Sequence, residues 1–144
     1  MTDREIKEAV WTTADKCKQA FVYTTVDGQG CPRGRYMGGL MVKNDRIYLA
    51  TFSGSRKMMQ VKDNPRSELI FATEDFKAVA TIGGNSRIEK SLDLKKAFWE
   101  ANPQAADYFS GYDAPEYGLI EFEPHSAEYL DFSVQKIPFV VAMP

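Results

Sequence analysis

The sequence predicts a mainly β protein, a small six-stranded antiparallel barrel with inserted helices. Short runs of β-branched and aromatic residues recur between turn signals in mostly hairpin order. Helical spacing occurs only at the start, in the middle and in the late third of the chain. The pair Gly83-Gly84 interrupts a strand pattern, which suggests the bulge or bend that a closed or strongly curved sheet needs at a corner. A chain of 144 residues has the length of one domain with one core, so residues 1–144 are expected to form a single unit.

Each element follows from local pattern. Between Glu5 and Gln19 the apolar positions Ile6, Ala9, Val10, Ala14 and Cys17 fall three to four apart, as on an amphipathic helix. Ala20–Val26 and Arg35–Val42 read as a hairpin around Asp27-Gly28-Gln29-Gly30. After the turn Lys43–Arg46, Ile47–Phe52 is a strand, and Ser53-Gly54 leads to a short helix with Ser55 at its N-cap that stops at Asn64-Pro65. Ser67–Ala72 and Phe76–Ile82 are strands around Thr73-Glu74-Asp75. Ser91–Ala101 is helical with Leu92, Leu94, Ala97, Phe98 and Trp99 available for burial, and Asn102-Pro103 opens a second short helix through Phe109. Tyr117–Glu123 and Ser126–Phe132 are expected to be two strands around Pro124-His125, with Ile120 and Phe122 on one face and Glu121 and Glu123 solvated on the other. The apolar tail Ser133–Pro144, with two prolines, carries no clear pattern.

Composition narrows the function classes. Eighteen Lys and Arg oppose twenty Asp and Glu, so no basic field points to nucleic acid or a membrane surface, and any cation at a site acts locally. Cys17 and Cys31 form no CxxC motif and are expected to be free thiols in a reducing compartment. The charged start and the lack of a long apolar run give the expectation of a soluble, cytoplasmic protein. His125 is the sole histidine and reads as a turn residue; it cannot by itself make a metal site, and no Ser/His/Asp or Cys/His arrangement is apparent.

Two segments carry candidate chemistry. Ser55-Arg56-Lys57 places a hydroxyl and two cations at a helix start, where free amides and the positive dipole end favour a phosphate. Pro32-Arg33-Gly34-Arg35-Tyr36-Met37-Gly38-Gly39 adds Arg35 and a glycine pair that would let a planar ligand approach the backbone. Its strand is expected to lie beside Ile47–Phe52 in the sheet, so that Arg35, Thr51 and Ser55-Arg56-Lys57 converge on one anion.

The combination Pro32-x-x-Arg35-x-Met37, a hydrophobic strand with Thr51, then Ser55-Arg56-Lys57 and Asn64-Pro65, resembles the flavin-binding pattern of the pyridoxamine 5'-phosphate oxidase-like split-barrel superfamily, its general-stress-protein branch in particular. The likeness extends from about Ala20 to Asp131. It implies a six-stranded split barrel, a homodimer, and one FMN in each of two clefts at the subunit interface. By the same resemblance Arg35, Arg56 and Lys57 would bind the FMN phosphate with help from Ser55. Tyr36, Met37 and Gly38 would lie along the isoalloxazine ring, and Thr51 would contact the ring or ribityl chain. Trp99 fits two roles, an aromatic reaching the flavin from the other subunit or a core residue of its own helix.

The tail Gln135–Phe139 lacks the C-terminal tryptophan and arginine–leucine signature of true pyridoxamine phosphate oxidases, which argues against the vitamin B6 reaction. Leu130 stands where relatives often have an aromatic. The function implied is therefore an FMN-dependent oxidoreductase moving electrons between a reduced nicotinamide or similar donor and a small acceptor. Two alternatives share the same cleft: a non-catalytic FMN-binding stress protein, and a relative that holds F420 or haem.

Overall fold

The computed structural model describes residues 1–144 and contains three α-helices, one 3-10 helix and eight strands in a single antiparallel sheet. The strands are β1 (Phe21–Val26), β2 (Pro32–Met37), β3 (Met41–Lys43), β4 (Arg46–Phe52), β5 (Arg66–Ala72), β6 (Ala78–Glu89), β7 (Tyr117–Asp131) and β8 (Phe139–Ala142). Their order across the sheet is β2-β1-β5-β6-β7-β4-β3, with β8 also paired to β7. Mainly β architecture with inserted helices is thus as the sequence predicts. The two strands beyond six are short: β3 is cut from the Arg35–Val42 run by Gly38-Gly39, and β8 forms from the tail.

Helix α1 (Asp3–Lys16) starts at a reciprocal capping box between Thr2 and Glu5 and lays Ile6, Val10 and Ala14 into the main core. That core is completed by inward residues of most strands, among them Phe21, Tyr23, Leu49, Leu69, Phe71, Ile82 and Phe122, all essentially inaccessible. A second, smaller core lies on the opposite face of β4 and β7. There Tyr48, Tyr117 and Leu119 meet Phe98 of α3 (Leu92–Ala101) and Ala105 of the 3-10 helix Pro103–Asp107, followed by Phe109. With both faces covered, every residue from Tyr117 to Phe122 is buried. No helix is long and apolar enough to cross a membrane.

Three expectations need correction. The Pro124-His125 region is no chain reversal, because β7 runs unbroken from Tyr117 to Asp131. The disturbance there is a bulge: Gly83 pairs Ser126 whereas Gly84 pairs Pro124, leaving His125 as the extra residue. Gly84 is required at that point, since a Cβ would collide with the Glu123 carbonyl. Second, β2 and β4 are not sheet neighbours; β2 pairs only β1 at one end of the sheet, while β4 lies between β7 and β3 at the other. The chain leaves the sheet at Gly39, which takes a left-handed φ of 84° and donates its N–H to the Lys18 carbonyl at 2.7 Å. Third, Glu121 is not solvated. It is 8 % exposed, because Tyr48 of β4 and Arg87 of β6 stand directly opposite it.

Helix α2 (Arg56–Asp63) restores by packing what the sheet order separates. Met58 and Val61 enter the main core, with Met58 against Gly118 of β7. Gln60 reaches Thr25 of β1, so α2 bridges the two ends of the sheet.

Candidate functional site

The short connection from β4 into α2 places Thr51, Ser55 and Lys57 together. Ser55 has the extended backbone of an N-cap residue, yet its side chain makes no capping bond. Its hydroxyl instead meets Thr51 Oγ1 at 3.2 Å. Lys57 Nζ donates to the same Thr51 oxygen at 2.7 Å. Lys57 is half-buried, and burial followed by the charge of Arg35 holds its pKa below the usual lysine range.

Arg35 comes to this cluster from β2. Its Nη1 donates to the Tyr23 carbonyl at 3.1 Å and to Thr25 Oγ1 at 2.9 Å, and its Nη2 donates to Gln60 Oε1 at 3.2 Å. The guanidinium also lies 5.9 Å from the centre of the Tyr23 ring. Burial pushes the Arg35 pKa down. Neither Arg35 nor Lys57 has a carboxylate partner within ion-pair distance; every group that holds them is neutral.

Beside these cations opens a cleft of about 430 Å³, within the range of roughly 300–1,000 Å³ usual for small-molecule sites. One wall is Tyr36, Met37, Gly38 and Gly39, and the facing wall is Ala50, Thr51 and Phe52 with Lys57. Aromatic side chains Phe98, Tyr108 and Phe109 come from the α3 region. The amide part of the lining, Gln19, Asn102 and Gln104, is polar but uncharged. Asn102, buried at 3 % exposure, donates to the Leu40 and Phe98 carbonyls at 3.3 and 3.2 Å. Gln104 Nε2 donates to Asn102 Oδ1 and to Gln19 Oε1, each at 3.3 Å.

Of the residues singled out by sequence, Tyr36, Met37, Gly38, Thr51 and Lys57 line the cleft. Ser55 stands behind them through Thr51, and Arg35 lies outside the lining, near enough to Lys57 for its charge to act on that lysine. Arg56 is exposed and makes no ion pair. Trp99 does not line the cleft of its own chain; it packs on Tyr117 with ring centres 6.0 Å apart, beside the smaller core. His125 is exposed next to Glu123, with Nε2 3.3 Å from Oε1, and lies outside the cleft. The amides Gln19, Asn102 and Gln104 carry no sequence signal for the cleft, where Asn102 reads only as a helix boundary, because they come from two distant segments with no shared spacing. Gln60 had a readable signal: it follows Lys57 by three residues and so falls on the same side of the helix.

The sequence matches a family model described as pyridoxamine 5'-phosphate oxidase over residues 6–131. No functionally curated protein matches it. Among solved structures, general stress protein 26 from Bacillus anthracis superposes with a TM-score of 0.80 at 22 % identity, covering 96 % of this chain and 99 % of that one. A pyridoxamine 5'-phosphate oxidase-related, FMN-binding protein from Nostoc punctiforme gives 0.71 at 15 % identity, covering 95 % and 86 %. A haem-binding protein from Mycobacterium smegmatis gives 0.75 at 13 % identity, covering 99 % of this chain and 58 % of that one. At these identities the structures share the fold.

Proposed function

Because the chain belongs to the pyridoxamine 5'-phosphate oxidase family, we propose that its cleft binds FMN and that the protein is an FMN-dependent oxidoreductase acting on a small substrate, with two such clefts in a homodimer. One observation carries the reading: Arg35 and Lys57 are partly buried cations beside an apolar-walled cleft, and all their partners are neutral. Desolvated charge without a counter-charge is costly, and a phosphate would supply the missing anion through charge-assisted hydrogen bonds. The rest of the donor set fits the same group. Thr51 and Ser55 offer hydroxyls, the first turn of α2 offers its free amides, and Tyr36–Gly39 line the cleft where a flat ring would lie.

In this assignment Arg35 and Lys57 hold the phosphate with Ser55, and the exposed Arg56 adds long-range attraction at the mouth. Tyr36, Met37 and Gly38 lie along the ring, and Thr51 fixes Lys57 while touching the ring or ribityl chain. Trp99 has no place at its own cleft; its proposed contribution is to the cleft of the second subunit. Bound flavin supplies hydride or single-electron transfer, while this chain binds, orients and shields it from water. The structure holds no histidine at the cleft, so FMN suits it better than haem.

The test is the absorption spectrum of the purified protein, before and after added FMN, with the released chromophore identified by mass. A flavin spectrum that shifts on binding, and bleaches under a reduced nicotinamide, is the expected result. A protein that stays colourless and leaves the FMN spectrum unchanged would refute the proposal.

A further inference from the structure

Gln60 belongs to none of the motifs that point to a flavin, yet it makes the most informative contact of the cation cluster. Its Oε1 accepts from Thr25 Oγ1 at 2.6 Å and from Arg35 Nη2 at 3.2 Å, while Thr25 Oγ1 itself accepts from Arg35 Nη1 at 2.9 Å. Thr25 is fully buried and Gln60 half-buried, so both are held by packing. Two oxygens in contact with each other therefore engage the end of the guanidinium formed by Nη1 and Nη2. The other Nη1 hydrogen goes to the Tyr23 carbonyl at 3.1 Å. What remains free is Nε–H and one hydrogen of Nη2, the pair of parallel donors that fits two oxygens of one phosphate.

On the reading that the FMN phosphate lies beside Arg35 and Lys57, we propose that Gln60 is a positioning residue: with Thr25 it clamps the Nη1/Nη2 end of the Arg35 guanidinium and thereby presents the adjacent Nε/Nη2 edge to the phosphate. The amide is the right chemistry for that task. A glutamate here would keep the acceptor and the shape, but it would pair with Arg35 and cancel the charge that the anion needs. A long side chain such as arginine loses much rotamer freedom when it is fixed, and a clamp removes that cost before the ligand arrives.

The experiment measures the dissociation constants of FMN and of riboflavin, which lacks the phosphate, by quenching of flavin fluorescence on the full chain. Wild type is compared with Gln60→Leu and Gln60→Glu. Gln60→Leu is expected to weaken FMN about tenfold while riboflavin stays within about twofold. Gln60→Glu, isosteric and able to fold where Leu fails, is expected to weaken FMN at least as much, again sparing riboflavin. Equal losses for both ligands would overturn the proposal, because Gln60 would then only support the cleft. Unchanged FMN affinity in Gln60→Leu would overturn it too, since Arg35 would need no clamp. Wild type that binds riboflavin as tightly as FMN refutes the phosphate site itself, a different failure, and this inference falls with it.

Discussion

The molecule holds two clusters of cationic and hydroxyl side chains, and they are built on opposite plans. On the outer face of β4, β6 and β7, Glu121 accepts from Arg87 Nε at 2.9 Å and Nη2 at 3.2 Å and from the Tyr48 hydroxyl at 3.1 Å, with Arg46 Nε at 3.8 Å. These bonds, Arg87 first, hold the Glu121 carboxyl below its usual range, and burial with the Glu121 contact pushes Tyr48 up to about 12. At the cleft, Arg35 and Lys57 have only amides, hydroxyls and a carbonyl around them, and burial depresses both pKa values. The first cluster satisfies itself and serves the fold. The second is left with surplus positive charge, which a fold alone does not need.

That contrast can be broken by substitution, because each cluster should fail in its own way. Lys57→Met should weaken FMN binding on the order of 100-fold, as charge-assisted bonds to a phosphate are lost, and leave the thermal midpoint of the ligand-free protein unchanged or higher. Arg87→Met should do the reverse. It leaves Glu121 with poorer partners, costs about 1 kcal/mol of stability or about 3 °C in midpoint, and leaves FMN affinity alone; differential scanning fluorimetry with and without FMN reads both.

pH sharpens the same difference. The Glu121 pKa is lowered in the folded protein, so its contribution is complete above the unfolded carboxylate value of about 4.3 and is lost as pH falls through the folded value. The stability advantage of wild type over Glu121→Gln should therefore shrink below about pH 4. For Lys57 it is the charged form that the fold disfavours, and the window is alkaline. With its folded pKa below the ordinary 10.5, the unfolded chain binds more protons between the two values. Ligand-free wild type should thus gain stability relative to Lys57→Met as pH rises through that alkaline window, and bound FMN should abolish the gain. The smallest effect belongs to Arg56→Ala: the side chain is exposed, so FMN affinity should fall less than about threefold, mainly at low salt.

Much of this was legible in the amino-acid order because it is local. The Ser55 N-cap position, the stop at Asn64-Pro65, the α1 stripe and the Gly83-Gly84 bulge each depend on a few adjacent residues. What escaped is set by pairing across the sheet. Alternation marks Glu121 as facing away from Ile120 and Phe122, but not that α3 builds a second core on that face, nor that Tyr48 and Arg87 stand opposite it. Likewise Arg35 and Lys57 were expected to meet through neighbouring strands. Instead Arg35 reaches α2, the helix that carries Lys57, through Gln60, because Gly39 takes the chain out of the sheet before β3 begins. The amide end of the cleft, Gln19, Asn102 and Gln104, exists only after folding brings two segments together.

In the proposed function the unpaired cations at the cleft await a phosphate attached to a flavin. That proposal is tested most directly by titrating the wild-type protein with FMN and with riboflavin and comparing the two affinities. FMN should bind tighter by on the order of 100-fold, and the preference should collapse in Lys57→Met while the variant still binds riboflavin. Equal affinity for the two flavins in wild type, or a preference that survives loss of Lys57, would contradict it.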